Sequence, residues 1–160
     1  MVTCVRTSPD NKIVLSLSSD KSIVLLDSTT GEILRSKEDA HGATIYSGCW
    51  FPDGSKFATC SADKTVKIWC ADDLALLSTF SVSEKPTKDD FQVGVVVNDQ
   101  HVISLSLNGN LNFFEISAVG EPEVFKPCHV AYGHRKNVFA VDVQGTKIVS
   151  IDHEGRICKI

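Results

Sequence analysis

The chain has 160 residues, of which 42% are hydrophobic, and a formal net charge of -4. This length and composition can bury a core of ordinary size, so we expect one domain or one part of a larger one. No run of lysine or arginine occurs, so neither nucleic acid nor an anionic membrane is an expected partner. No apolar stretch approaches the roughly 20 residues that span a bilayer, and the N-terminus has no apolar signal-peptide core. We therefore expect a soluble protein that binds other proteins.

A repeat runs through the sequence. The segment SPDNKIVLSLSSDKSIVLLD (8–27) aligns with FPDGSKFATCSADKTVKIWC (51–70) at an offset of 43 residues. Two weaker copies follow, DQHVISLSLNGNLNFFEI at an offset of 45 residues and TKIVSIDHEGRICKI at a further 46. A period of about 40 to 45 residues, with turn residues between short strands, is typical of propeller blades. We divide the chain into four units: residues 1–36, 37–80, 91–126 and 127–160.

Each unit consists of short strands, and the second unit shows them most clearly. Apolar and polar residues alternate there, which predicts strands at residues 45–50, 56–61, 65–70 and 76–80. The sequences PDG and ADK supply the two turns between the first three strands. The polar segment SVSEKPTKDDF that follows contains a proline, which predicts a surface loop. No segment keeps a helical period, so the sequence predicts an all-β fold of four antiparallel strands per unit.

The cysteines are scattered along the chain without any C-x-x-C pair. Several of them lie within alternating apolar segments, where a thiol behaves as a small hydrophobic side chain. We therefore expect reduced thiols in the cytoplasm rather than a disulfide framework. The six residues are Cys4, Cys49, Cys60, Cys70, Cys128 and Cys158.

Turns of the SPDG type recur along the repeat, a His-containing segment precedes two units (AHG and GHR), and SADKTVKIW ends in tryptophan. These features resemble WD repeats, whose fold is the β-propeller. In the second unit the resemblance implies a structural tetrad: His41 in the loop leading into the unit, Thr59 on the second strand, Asp63 in the tight turn and Trp69 on the third strand. It implies partial tetrads in the other units, at Asp20, Asn108, Phe114 and His134.

A hydroxyl, an imidazole and a carboxylate also suggest a nucleophile relay, in which Asp63 orients His41 and His41 takes a proton from Thr59 or Ser61. Such a hydrolase needs a strained nucleophile turn and an oxyanion loop, and neither GxSxG nor a glycine-rich loop occurs beside these residues. The same side chains can instead satisfy one another as a buried network. We therefore favour the structural interpretation and expect no enzymatic activity.

Other chemical sites have little support in the sequence. A zinc site needs closely spaced Cys and His ligands, whereas the adjacent pair Cys128 and His129 has only the distant His134 near it. We expect no metal, no cofactor and no small-molecule substrate. Phe113 and Phe114 could stack on bases, but neighbours on a strand point to opposite faces, and Phe114 falls on the tryptophan position of the repeat. Core packing is the better interpretation of both rings.

The order of the irregular units narrows the resemblance. IY follows the leading loop in AHGATIYSGCW, the third unit lacks a Gly-His dipeptide and reads SLSLNGNLNFF, and YGHRKNVFAV comes next. This order is similar to the N-terminal propeller of the actin-interacting protein 1 family, over nearly the whole chain. The resemblance implies a non-catalytic protein of the cytoplasm and cytoskeleton that binds cofilin-decorated actin filaments and promotes their disassembly. A generic WD-repeat scaffold for an unrelated protein complex is the alternative.

Charged loops on a rigid scaffold are common docking sites for protein partners. We expect the partner surface in the loops that lead into the units. The candidates are Asp39, Lys85, Lys88, Asp89, Asp90, Arg135 and Lys136.

The four units form an incomplete arc of a propeller. A closed propeller buries each blade between two neighbours, so an arc has two bare faces. We therefore expect either a fragment of a longer protein or a divergent short form that must pair with another molecule. In either case we expect the isolated chain to self-associate or aggregate.

Overall fold

The structure, a computed structural model, describes residues 1–83, 85–116, 124–125, 127–132, 138–145 and 147–159. These residues form sixteen β-strands and a single turn of 3₁₀ helix, Lys88–Asp90. The strands make four sheets that follow one another along the chain, and we call them blades 1 to 4. In this part of the chain, no helix has the length and apolar character needed to cross a membrane.

Blades 1 and 2 each contain four antiparallel strands connected in chain order. The strands of blade 1 are β1 (Val2–Thr7), β2 (Ile13–Ser18), β3 (Ile23–Asp27) and β4 (Ile33–Lys37). Those of blade 2 are β5 (Ile45–Trp50), β6 (Lys56–Ser61), β7 (Thr65–Cys70) and β8 (Leu76–Ser81). The strands of blade 2 confirm the prediction to within one residue, because regular alternation and distinct turn residues define them.

Blades 3 and 4 follow the same pattern less regularly. The strands of blade 3 are β9 (Gln92–Val97), β10 (His101–Ser106), β11 (Asn110–Glu115) and, after an insertion, β13 (His129–Tyr132). The insertion contributes β12 (Val124–Phe125), which pairs in parallel with β8 and makes the sheet of blade 2 five-stranded. The strands of blade 4 are β14 (Val138–Gln144), β15 (Lys147–Asp152) and β16 (Ile157–Lys159).

One unit boundary differs from the expectation, and the expected loop after β8 has local structure. The repeat placed a unit boundary between residues 126 and 127, whereas β13 lies beyond it and still completes blade 3. The insertion between β11 and β13 causes this difference, because it moves the fourth strand along the sequence. The expected loop after β8 contains the 3₁₀ turn Lys88–Asp90, and the side chains of Thr87 and Asp90 close it with reciprocal hydrogen bonds.

The hydrophobic cores lie between the blades. Alternation sends neighbouring residues to opposite faces of a sheet, so Phe57 packs toward blade 1 and Ala58 toward blade 3. Phe114 likewise packs between blades 2 and 3, and Phe113 between blades 3 and 4. The first strands of successive blades lie side by side. Each blade with two neighbours is therefore apolar on both faces.

The cysteines are part of this architecture as free thiols. Cys4 and Cys60 are buried in the cores between blades. Burial raises the pKa of the Cys60 thiol far above its usual range, so this side chain is neutral and packs as an apolar group.

Gly48 on β5 marks a close contact between blades 1 and 2. A Cβ atom added there would lie 2.6 Å from Cδ1 of Leu17 and 3.1 Å from the carbonyl oxygen of Ala58. Gly48→Ala should therefore lower the free energy of unfolding by about 1–3 kcal/mol through overpacking, as measured by urea unfolding. Ser47→Ala on the same strand should change it by less than about 0.5 kcal/mol. A Gly48→Ala variant as stable as the parent chain would contradict this description of the interface.

Candidate functional site

Four side chains of blade 2 form one chain of hydrogen bonds. The indole Nε1–H of Trp69 donates to Oγ1 of Thr59 at 2.8 Å, and Thr59 donates in turn to Nε2 of His41 at 2.7 Å. Nδ1–H of His41 then donates to Oδ2 of Asp63 at 2.8 Å. Because an ionised carboxylate can only accept, Nδ1 of the neutral imidazole carries the proton, and Nε2 is left to accept from Thr59. The structure thus brings together all four residues of the expected tetrad.

Asp63 is the anionic end of this tetrad. Its carboxylate also accepts hydrogen bonds from Oγ1 of Thr65 at 2.6 Å and from the backbone N–H of Gly42 at 2.8 Å. Burial opposes ionisation of Asp63, but the hydrogen bonds from His41, Thr65 and Gly42 outweigh it and hold its pKa well below the usual range. Asp63 is therefore ionised near neutral pH and ties the leading loop of blade 2 to the turn between β6 and β7.

His41 is the neutral centre of the tetrad. Its side chain is fully buried, and this burial lowers the pKa of the imidazole, while the neighbouring Asp63 acts in the opposite direction. The amine of Lys67 donates to the carbonyl oxygen of Ala40 at 2.8 Å and lies 5.8 Å from the ring centroid of Trp69. The charge of Lys67 further disfavours protonation of His41.

The candidate nucleophiles of the hydrolase alternative are inaccessible. Thr59 and Ser61 both have 0% exposure, so no substrate can reach their hydroxyl groups. Oγ of Ser61 donates to the carbonyl oxygen of Ala43 at 3.1 Å and accepts from the backbone N–H of Asp63 at 3.0 Å. Among the described residues, no three His, Cys, Asp or Glu side chains come together as a metal site.

The partial tetrad positions serve other purposes. Asp20 is exposed and accepts a hydrogen bond from the backbone N–H of Ser22 in its own turn. Asn108 is also exposed and accepts from the backbone N–H of Asn110. Phe114 is buried and stacks on Phe80, with ring centroids 4.8 Å apart. The fourth position, His134, lies outside the described residues.

Blade 3 contains a second buried polar network, which the sequence analysis missed. Oε1 of Gln92 accepts from Oγ of Ser104 at 2.6 Å, and its Nε2 donates to Oγ of Ser106 at 2.9 Å. Nδ2 of Asn112 donates to the same Ser106 oxygen at 2.8 Å. Ser104 lies 45 residues after Thr59, at the corresponding place on the second strand. This network is buried and neutral. The sequence signal for it was the pair of amide side chains, Gln92 and Asn112, at strand positions within the repeat.

The segment that follows β8 lies at one end of the blades, which we call the rim. The rim consists of the turns after the second strands and the loops that lead into the blades. Nζ of Lys64 donates to the carbonyl oxygen of Pro86 at 3.0 Å. The backbone N–H of Asn108 donates to the carbonyl oxygen of Asp89 at 3.0 Å. These bonds hold the segment against the turns of blades 2 and 3.

The other described candidate for the partner surface is Asp39, which shares this rim. It lies in the leading loop of blade 2, and its carboxylate is 3.6 Å from Nζ of Lys21 in the turn between β2 and β3. Asp90 is half-buried and accepts from the backbone N–H of Thr87 at 2.7 Å, so its role is to shape the loop. The exposed candidates are Asp39, Lys85, Lys88 and Asp89. The remaining two candidates, Arg135 and Lys136, lie outside the described residues.

Two lysines of the rim occupy strained backbone positions. Lys21 and Lys64 both have a φ of 74°, and the corresponding residues of blades 3 and 4 are Gly109 (φ 89°) and Gly155 (φ 77°). Glycine adopts this left-handed conformation readily, whereas other residues do so at a cost of about 1–3 kcal/mol. Blades 1 and 2 therefore have a cation on the rim where glycine would be less strained, and these cations contact Asp39 and the carbonyl oxygen of Pro86.

Known proteins share both the sequence pattern and the fold. The family described as WD domain, G-beta repeat matches residues 1–27 and 32–70. WD repeat-containing protein 1 of Gallus gallus is 35% identical over 144 residues, which cover 89% of this chain and 22% of that protein. Actin-interacting protein 1 of Drosophila melanogaster is 31% identical over 157 residues, which cover 96% of this chain and 25% of that protein. A solved structure of RRP9 WD40 repeats has a TM-score of 0.83 at 19% identity, covering 99% of this chain and 50% of that one.

The WD-repeat family model matches the first two blades, and all four sheets have the fold of β-propeller blades, arranged as an incomplete arc. The sequence-based prediction of this fold is confirmed. In sequence, the chain is similar to WD repeat-containing protein 1 and to actin-interacting protein 1. It spans about a quarter of the length of these relatives. The WD-repeat match indicates no catalytic family.

Removing the carboxylate of the tetrad should destabilise the fold. In Asp63→Ala the buried Nδ1–H of His41 loses its acceptor, so we expect the free energy of unfolding to fall by roughly 1–3 kcal/mol, as measured by thermal and urea unfolding. Asp20→Ala removes the corresponding but exposed carboxylate and should cost less than about 1 kcal/mol. An Asp63→Ala variant that keeps full stability and loses a measurable esterase turnover would refute the structural role.

The tetrad should also make stability depend on pH. The pKa of His41 is lower in the folded chain than its usual value of 6.5, so the unfolded chain binds a proton first as the pH falls. The contribution of His41 is thus complete above about pH 6.5 and is lost as the pH drops toward the folded pKa. Below about pH 3.8, protonation of Asp63 in the unfolded chain adds a second loss.

Urea unfolding at several pH values between 4.5 and 7.5, roughly the range in which histidine titrates, measures this effect. The slope of unfolding free energy against pH should be shallower in His41→Gln than in the parent chain, whatever the absolute stability of the variant. Equal slopes would show that His41 binds protons equally well in both states.

Proposed function

We propose that this chain is a non-catalytic interaction module of the cytoplasmic cytoskeleton that binds cofilin-decorated actin filaments and promotes their disassembly. The observation that carries the proposal is the 31% identity to actin-interacting protein 1 over 96% of the chain. The name of that relative states an interaction with actin. The order of irregular units in this sequence resembles that family, and this resemblance implies binding to filaments that carry cofilin. The chain spans about a quarter of that relative. The proposal therefore concerns only the part of the filament-binding surface that lies on these four blades.

The rim supports this proposal as the contact surface. Its exposed charges are of both signs, since Asp39 and Asp89 are acidic and Lys85 and Lys88 are basic. Hydrogen bonds between loop and turn backbones hold these residues on rigid strands, which keeps the surface organised before binding. Mixed charges at the periphery of an interface raise the association rate and make it sensitive to salt.

Binding alone can account for disassembly. A surface that prefers the cofilin-altered filament over the bare filament stabilises the altered state by the difference between its two affinities. No covalent bond needs to be broken in the process, which agrees with the burial of the hydroxyl groups of Thr59 and Ser61. The chain then acts by shifting a conformational equilibrium of the filament rather than by chemistry.

Co-sedimentation with actin filaments, with and without cofilin, tests the proposal. The parent chain should pellet with cofilin-decorated filaments and much less with bare ones. Lys88→Glu on the rim should weaken binding about threefold at low salt, and the difference should shrink as ionic strength rises.

Lys12→Glu provides the matched control. Lys12 is exposed and lies in the turn between β1 and β2, at the opposite end of blade 1 from the rim, with Asp10 as its ion-pair partner. This variant should bind as the parent chain does. An equal loss of filament affinity in both variants would indicate that the contact lies outside the rim. Failure of the parent chain to bind either filament would leave the generic WD-repeat scaffold, with an unrelated protein partner, as the function.

A further inference from the structure

The outer edge of blade 2 is covered by a strand from a distant part of the chain. β12 pairs in parallel with β8, with Val124 opposite Thr79 and Phe125 opposite Phe80. A fourth strand of a blade has one inner neighbour, so its outer side offers backbone groups for a further ladder. The molecule itself therefore shows that the outermost strand of a blade accepts a short extended segment.

β4 is the corresponding outermost strand of blade 1. The 43-residue offset of the repeat places Ser36 and Lys37 of β4 at the positions of Thr79 and Phe80. Among the described strands, β4 ends its sheet and pairs only with β3. An edge of this kind is the template for recognition by strand addition, in which backbone hydrogen bonds supply affinity and side chains supply specificity.

β4 also exposes large apolar side chains. Ile33 is 66% exposed and Leu34 is 42% exposed. The exposure of Ile33 is a property of its position in the blade. Leu76, which lies 43 residues later in blade 2, is 48% exposed although blade 2 has a neighbour on each face. A partner strand along β4 would cover apolar surface as well as backbone.

Charge indicates which kind of segment fits. β4 contains the exposed Arg35 and the half-buried Lys37, whose Nζ lies 5.6 Å from the ring centroid of Trp69 in blade 2. The segment that leads into β12 has the sequence GEPEVF, with Glu121 and Glu123 just ahead of the paired residues. An acidic segment beside two cations is favourable, whereas a basic segment is repelled.

We propose that β4 binds an extended acidic segment of a partner protein, with interspersed apolar residues, as a parallel fifth strand of blade 1. The surface lies on the outer side of the blade, and the proposal does not rest on a role in actin binding. It concerns a backbone-based contact, in contrast to the side-chain charges of the rim.

A synthetic peptide with the sequence of residues 119–126, VGEPEVFK, is the probe. Titration into the ¹⁵N-labelled chain should shift the backbone amide signals of β4, centred on Ser36 and Lys37. A peptide with lysine in place of both glutamates should bind at least about fivefold more weakly, since its charges are then repelled by Arg35 and Lys37. Arg35→Glu should weaken the acidic peptide about threefold, and Lys12→Glu should leave its affinity unchanged.

Several outcomes would overturn the proposal. Shifts confined to Thr79 and Phe80 would mean that the peptide only displaces β12 from β8. Equal binding of the acidic and basic peptides would mean apolar adhesion without recognition. Shifts of β4 signals on raising the protein concentration alone would mean that a second copy of the chain covers this edge. Absence of any shift at millimolar peptide would exclude the site, because contacts of this kind are otherwise detectable well below that concentration.

Discussion

The burial of both faces of a single sheet is the constraint on which the rest of this structure depends. In a blade with two neighbours the middle strands are covered on both faces, so their successive residues enter different cores, as Phe57 and Ala58 do. Polar side chains on these strands are therefore buried too, and each needs a partner. No buried polar side-chain atom in the described part of the chain lacks a hydrogen-bond partner.

The two polar networks are different solutions to this requirement. In blade 2 an ionised carboxylate, Asp63, is kept in place by several donors, and the imidazole connects it to the indole of Trp69. In blade 3 the amide of Gln92 bonds two serines with no charge at all. The third-strand aromatic residue changes accordingly. Phe114 has no N–H that needs a hydrogen-bond acceptor, and its ring stacks on Phe80. Only the network of blade 2 links stability to pH.

The sequence predicts this fold well where local signals and tertiary packing agree. The strands of blade 2 follow from alternation and turn chemistry, and the tetrad residues follow from the resemblance because each lies at a fixed place in the repeat. The network around Gln92 has no motif, since amides and serines occur on strands for many reasons. The 3₁₀ turn had a signal, a threonine three residues before Asp90. The pairing of β12 with β8 had none, because it joins two residues to a strand more than 40 positions away.

The same constraint decides where partners can bind. Because the faces of inner blades are occupied by hydrophobic cores, the two ends of the blades and their outer edges remain exposed. The two proposed contact surfaces are the rim, at one of these ends, and the outer edge of blade 1. These two kinds of surface differ physically. The rim offers charges on loops, so its contacts weaken with salt and change mainly the rate of association. An edge strand offers backbone donors and acceptors, which salt screens little, so its contacts depend on register as well as on the charges beside the strand. Lysines at Lys21 and Lys64, in place of the glycines of the later blades, increase the charge of the rim without altering the turn that the strands require. Sequence change in the turns can therefore adjust partner binding while the cores between blades stay intact.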